Sequence, residues 1–160
     1  MKKAILKALG LVSLVAATFT TSAYAAGTDS ITITANPGNV FVLSTGSGLD
    51  AGEYFGLTFG HFNGHTGLGI TTKLTSVQYS VASYPAAISD HPKMCYYTPY
   101  SSTPIQCIDV AAGTTGTTTA FNNQQFGPGA RISIMHKTTG TPGNNLKPSG
   151  PETVVFNYSY

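Results

Sequence analysis

Charge is scarce in this chain, and so is the chemistry that charged side chains perform. Only 9% of its 160 residues are Asp, Glu, Lys or Arg. No constellation of nucleophile, base and orienter can be drawn from so few groups, so an enzyme is not expected. The apparent basicity sits at the start, since Lys2, Lys3 and Lys7 are three of the eight Lys and Arg. Beyond them five cations face six Asp and Glu, a net charge of −1 with His neutral. The electrostatic footprint of a nucleic-acid binder is missing.

Long apolar runs are equally few. The first, from Ala8 to Thr18, follows the three lysines and precedes Ala23-Tyr24-Ala25. A cationic start, an apolar middle and a small-residue end read as a secretory signal peptide over residues 1–25, cleaved after Ala25. No other run approaches the ~20 residues needed to cross a bilayer. The exported remainder, 135 residues from Ala26, is therefore expected to be one domain, soluble or assembled, with no membrane span.

There are two cysteines, Cys95 and Cys107, and no close Cys or His pair between them. That counts against a four-ligand zinc cage, which wants close Cys or His pairs. In an oxidising compartment the expectation is a disulfide closing "CYYTPYSSTPIQC", which contributes about 3 kcal/mol through the unfolded state. His61 and His65 in "HFNGHTG", with Asp50 and Glu53 upstream, come nearest to a metal pair. Their i, i+4 spacing shares a face only on a helix, and the surrounding glycines make a loop, so no metal or cofactor is expected. "TGSGLD" lacks the second half of a Gly-x-Ser-x-Gly elbow, and Asp90, His91 and Asp109 form no acid-base pattern.

Helical periodicity and internal repeats are missing too, which counts against a solenoid. What remains is a succession of short β runs punctuated by Gly, Pro, Asn and Ser. "DSITITANPG" alternates Ile31, Ile33 and Ala35 with polar residues and breaks at Pro37-Gly38, an edge strand followed by a turn. "NVFVLSTG" predicts a second strand, and "GEYFGLTFG" a third with Phe55, Leu57 and Phe59 on one face. "TTKLTSVQYSVASY" favours a strand with Leu74, Ser76 and Gln78 opposed to Thr75, Val77 and Tyr79. "KMCYYT" and "IQCIDV" suit a disulfide-tied hairpin. "AAGTTGTTTA" reads as a surface loop running into a strand with Phe121. "ARISIMHKTTG" places Ile132, Ile134 and His136 on one face, whereas "TPGNNLKPSGPE" forbids regular structure.

The sequence closes on "ETVVFNYSY", where Val154, Phe156, Tyr158 and Tyr160 fall at every second position. A strand greasy to its last residue must be buried against something. Seven or so such strands argue an all-β sandwich. Asn157-Tyr158-Ser159 matches a glycosylation sequon but lies inside this strand and reads as coincidence. Tyr96, Tyr97 and Tyr100 beside the disulfide loop are a candidate ligand surface, with packing of the hairpin into the core as the alternative.

Amphipathic strands at both ends of the exported chain suggest assembly by strand exchange, a heterologous contact that propagates as a fibre. Here "ETVVFNYSY" resembles the last strand of pilins from chaperone-usher systems, most like the archaic branch with spore coat U-like domains. "YFGLTFGHFNG" is similar to the early Phe-Gly strand and turn of that group. The two cysteines are central rather than early, and "PSGPE" replaces the Gly-x-Tyr usual before the last strand.

The resemblance implies an incomplete immunoglobulin-like sandwich over residues 37–160, completed by a donor strand from residues 26–36 of a neighbour. Ile31, Ile33 and Ala35 would be the donor's knobs. Val154, Phe156, Tyr158 and Tyr160 would line the acceptor groove and meet a chaperone strand. Implied partners are identical or related pilin subunits, a periplasmic chaperone, an outer-membrane usher and a host or abiotic surface. The implied location is a cell-surface fimbria reached through the periplasm. The rival reading is a single-domain adhesin, secreted or at a fibre tip, that folds Ile31 and Ile33 into its own sheet and binds through its Tyr-rich loops.

Overall fold

Alternation of apolar and polar side chains builds the strands, and Gly, Pro and Asn end them. The computed structural model describes residues 27–65 and 71–160. The predicted signal peptide lies outside the described residues. Ten strands occur among them: β1 Thr28–Ala35, β2 Val40–Phe41, β3 Ala51–Gly56, β4 Lys73–Ser80, β5 Ser89–Tyr97, β6 Gln106–Asp109, β7 Thr115–Thr118, β8 Arg131–Thr139, β9 Asn145–Leu146 and β10 Glu152–Ser159. The expected all-β class holds.

Two antiparallel four-stranded sheets, β1-β10-β4-β7 and β3-β8-β5-β6, face one another, and the short pair β2-β9 forms a third sheet. Only β5 and β6 are both consecutive and paired. Most connections between the long strands therefore cross between sheets. The two inner faces bury Phe55, Met94, Tyr96, Ile132 and Ile134 against Val77, Val154, Phe156 and Tyr158. A smaller cluster of Val40, Val42, Ala51, Tyr84 and Leu146 brings β2 and β9 together. Each large side chain taken out of water here is worth about 1.5–3 kcal/mol.

Local geometry overrode the sequence pattern at five places. Leu74 and Val77 are both buried although three residues apart, because β4 slips register against Asn157 and Tyr158 and leaves Thr75 as the extra residue of a bulge. Phe59 is exposed rather than aligned with Phe55 and Leu57. A 3-10 turn, Phe59–Phe62, ends the strand's period and turns Phe62 inward instead. Phe121 lies beyond β7 but is fully buried, stacked on Tyr96 with ring centroids 5.5 Å apart. The proline-rich "TPGNNLKPSGPE" still yields β9, because Leu146 has a closed apolar site beside Val40 and Val42. "NVFVLSTG" shortens to β2 and a bridge from Val42 to Gly48, since Gly46, at φ +83°, turns the chain back on itself.

The expected disulfide is present: Cys95 and Cys107 sit directly opposite in the β5–β6 hairpin, and their sulfurs are bonded. They close a loop of sequence separation 12. Replacing both with Ala should lower unfolding free energy by about 3 kcal/mol, read as a reduced urea midpoint with an intact far-ultraviolet β spectrum. A midpoint unchanged from the oxidised protein would show that the hairpin needs no covalent tie.

Candidate functional site

The inward face of β10 and its partner β1 form the most continuous contact that the sequence singled out. All eight residues of β1 pair antiparallel with β10, from Thr28 opposite Ser159 to Ala35 opposite Glu152. Ile31 faces Phe156 across this ladder and Ile33 faces Val154. Ile31 is 5% exposed, and Val154, Phe156 and Tyr158 are fully enclosed. Ile33, Ala35 and Tyr160 are partly buried against the same core. The residues expected as donor and as acceptor thus pair within one chain, with β1 at the sheet edge.

Both ends of the ladder are clamped by polar groups. At one end Gly27 and Tyr160 exchange backbone hydrogen bonds of 2.9 and 3.0 Å, extending the pairing by one residue. A Cβ at Gly27 would overlap the Tyr160 ring. Tyr160 also stacks on His65, centroids 3.7 Å apart. Asp29 accepts from the Ser30 amide at 2.7 Å, the Asn63 amide at 3.3 Å and the Tyr158 hydroxyl at 3.4 Å. The Ser30 and Asn63 hydrogen bonds hold the Asp29 carboxyl below its ordinary value. Burial, with Asp29 nearby, pushes Tyr158 up to about 12.

At the other end Glu152, the first residue of β10, enters a buried polar relay. His136 of β8 donates from Nε2 to Glu152 Oε1 at 2.8 Å and from Nδ1 to Asp90 Oδ1 at 2.7 Å. Carboxylates only accept, so with both ionised each ring nitrogen carries a proton and the imidazole is cationic. Glu152 Oε1 also accepts from the Ala82 amide at 3.2 Å, and Asp90 Oδ2 from the Tyr84 amide at 3.1 Å. The relay thus joins β5 and β8 of one sheet to β10 of the other. Burial disfavours the charged ring, but the hydrogen bonds and charges of Glu152 and Asp90 outweigh it and raise His136 above the ordinary histidine value.

The tyrosine cluster is divided by the strand's own alternation. Tyr96 is fully buried and donates to the Gln125 carbonyl at 2.7 Å, so it belongs to the core and not to a surface. Tyr97 points the other way but is only 7% exposed. It is covered by the Arg131 guanidinium, 4.6 Å from its ring centre. Tyr100 is open, at 78% exposure. His61 is used locally, its Nδ1 accepting from the Thr58 amide at 3.1 Å.

The relay was the residue set that sequence reasoning missed. His136 was visible on the apolar face with Ile132 and Ile134, which demanded a buried partner for it. Nothing in one dimension indicated that the partners were Asp90 and Glu152, 46 and 16 residues away. No known protein family, curated protein or solved structure matches this chain.

A histidine whose folded value is raised stabilises fully below its unfolded value and loses that contribution as pH rises through the folded one. The unfolding midpoint should therefore fall as pH climbs from about 6.5 through the raised His136 value. Glu152→Gln should cost about 3 kcal/mol near neutral pH and flatten that alkaline slope in denaturant titrations. A slope identical in the variant would disprove the coupling.

Proposed function

We propose that this chain is a structural subunit of a bacterial surface fibre, and that the β1–β10 ladder closed here within one molecule is exchanged between molecules in the assembly. The observation that carries the reading is the position of β1. It is bonded to β10 alone among the strands, lies at a sheet edge, and is joined to β2 by the four residues 36–39. It can leave as a unit without breaking any other strand pair.

Strand order supports the same reading. An immunoglobulin-like sandwich places strands B, E and D in one sheet and C, F and G in the other. Taking β3, β4, β5, β8 and β10 as B, C, D, E and F gives β3-β8-β5 and β4-β10 as neighbours, the observed order. The seventh position, G, then falls to β1, although it comes first in sequence. A domain whose last strand is supplied from the N-terminal side can take that strand from itself or from a second copy through the same contacts.

A groove left without β1 would expose Phe156 and an unpaired edge, which favours aggregation and explains the need for a periplasmic chaperone before delivery to an outer-membrane usher. Self-closure competes with exchange, because a tethered strand has an effective concentration on the order of millimolar. In this reading the closed monomer is the resting form.

Light scattering on three forms of the exported chain tests this. The full chain should convert slowly from monomer to a ladder of oligomers after partial unfolding at high concentration. A chain lacking residues 26–36 should aggregate unless given the peptide Thr28–Ala35. The same truncated chain with that segment linked after Tyr160 should be a stable monomer. Ile31→Asp should abolish peptide capture, since it places a charge in an apolar site. A truncated chain that is itself a stable monomer and ignores the peptide would overturn the proposal.

A further inference from the structure

The two outer faces of the sandwich differ in chemistry. On the β1-β10-β4-β7 side the outward positions are neutral, among them Ser30, Thr32, Thr34, Thr153, Asn157 and Gln78, with Lys73 at one end. On the β3-β8-β5-β6 side, Met94, Ile132, Ile134 and His136 are buried. Alternation therefore turns His91, Lys93, Met135 and Lys137 outward. Three of the five Lys and Arg beyond residue 25, namely Lys93, Arg131 and Lys137, stand on this one face.

His91, Lys93, Met135 and Lys137 surround a cleft of about 430 Å³, completed by Asp50 and Asp109. Its rows follow from the register. Gly52 lies opposite Met135, Met135 opposite Lys93, and Lys93 opposite Asp109. His91 lies opposite Lys137. A Cβ at Gly52 would overlap the Met135 sulfur, so glycine here lets the thioether lie flat as an apolar floor. Lys93 Nζ and Asp109 Oδ1 are 3.5 Å apart at the rim.

Next along β3 on the same side is Tyr54, which is 54% exposed. Successive outward residues stand roughly 6.8 Å apart, so Tyr54 adjoins the Gly52 row of the cleft. The Arg131 guanidinium lies 5.0 Å from the Tyr54 ring centre and 4.6 Å from that of Tyr97, bracing both. A charged cleft thus continues into an aromatic shelf.

From this arrangement we infer that the outer face of β3-β8-β5-β6 binds an acidic oligosaccharide, with a carboxylate-bearing sugar in the cleft and its neighbour on Tyr54. Lys93 and Lys137 take the carboxylate, Asp50 and Asp109 accept from hydroxyls, and Met135 and Tyr54 meet the apolar C–H faces. With His91 neutral, two lysines and two aspartates sum to zero. Such a site repels a polyphosphate through its carboxylates but suits a sugar carrying one carboxylate and several hydroxyls. This inference does not depend on strand exchange, because β1 lies in the other sheet.

The test is a nuclear magnetic resonance titration of the exported chain, kept dilute and monomeric. The probes are a tetrasaccharide alternating glucuronate and N-acetylglucosamine, glucuronate alone, cellotetraose as a neutral chain, and acetate as a bare carboxylate. Shifts confined to the amides of Asp50, Gly52, Tyr54, His91, Lys93, Asp109, Met135 and Lys137 are expected with the acidic tetrasaccharide. Cellotetraose should bind at least about tenfold more weakly, as expected from loss of one charge-assisted contact.

Lys93→Gln and Lys137→Gln should each weaken the acidic probe by about tenfold with unchanged unfolding midpoints. Tyr54→Ala should weaken the tetrasaccharide but not glucuronate alone. Equal binding of cellotetraose, shifts centred elsewhere, or acetate reproducing the full pattern at equal affinity would each overturn the assignment.

Discussion

The sandwich depends on the burial of one side of β10. Val154, Phe156 and Tyr158 enter the core from this strand, while its two edges bond β1 and β4. It is the strand through which the first sheet is held to the second. Because its inward positions are all large, a slip of one residue would drive Thr153, Val155 and Asn157 inward and expose three aromatic or branched side chains. The register of β1 is set by this constraint.

The polar clamps at the ends of the ladder act on register as well as on stability. An imidazolium between two carboxylates, all taken from water, gives little net stabilisation compared with an apolar replacement. Its directional bonds nevertheless permit only one alignment of Glu152 against His136 and Asp90. Asp29 acts differently at the opposite end, being solvent-accessible and gathering donors from Ser30, Asn63 and Tyr158. A depressed carboxyl of this kind contributes above its unfolded value and is lost as acid titrates it through the folded one. Acid therefore acts on the Asp29 end, and alkali on the Glu152 end.

Strand pairing and ligand recognition are separated by the thickness of the domain. One outer face presents hydroxyls and amides around the β1 edge, and the other presents the charge. In a fibre of such subunits, exchange of β1 would leave the charged faces repeated along the assembly. Weak single sites then gain avidity from repetition without any new contact.

How much of this was legible in one dimension follows from the range of the interactions. Alternation is a local property, so β1, β8 and β10, their inward residues and the all-β class could be read directly from the sequence. The disulfide was also legible, because two cysteines offer one pairing. Features that depend on what lies opposite were not legible: the Thr75 bulge answers to Asn157 and Tyr158, and the burial of Phe121 to Tyr96. The same holds for function. Composition and patterning determined a strand-rich chain with greasy ends and few charges. Only the crossing of strands between sheets brought Asp90, His136 and Glu152 into one buried relay and set Asp50, Lys93, Asp109 and Lys137 around one cleft, since these contacts link residues far apart in sequence that meet only when the sheets close.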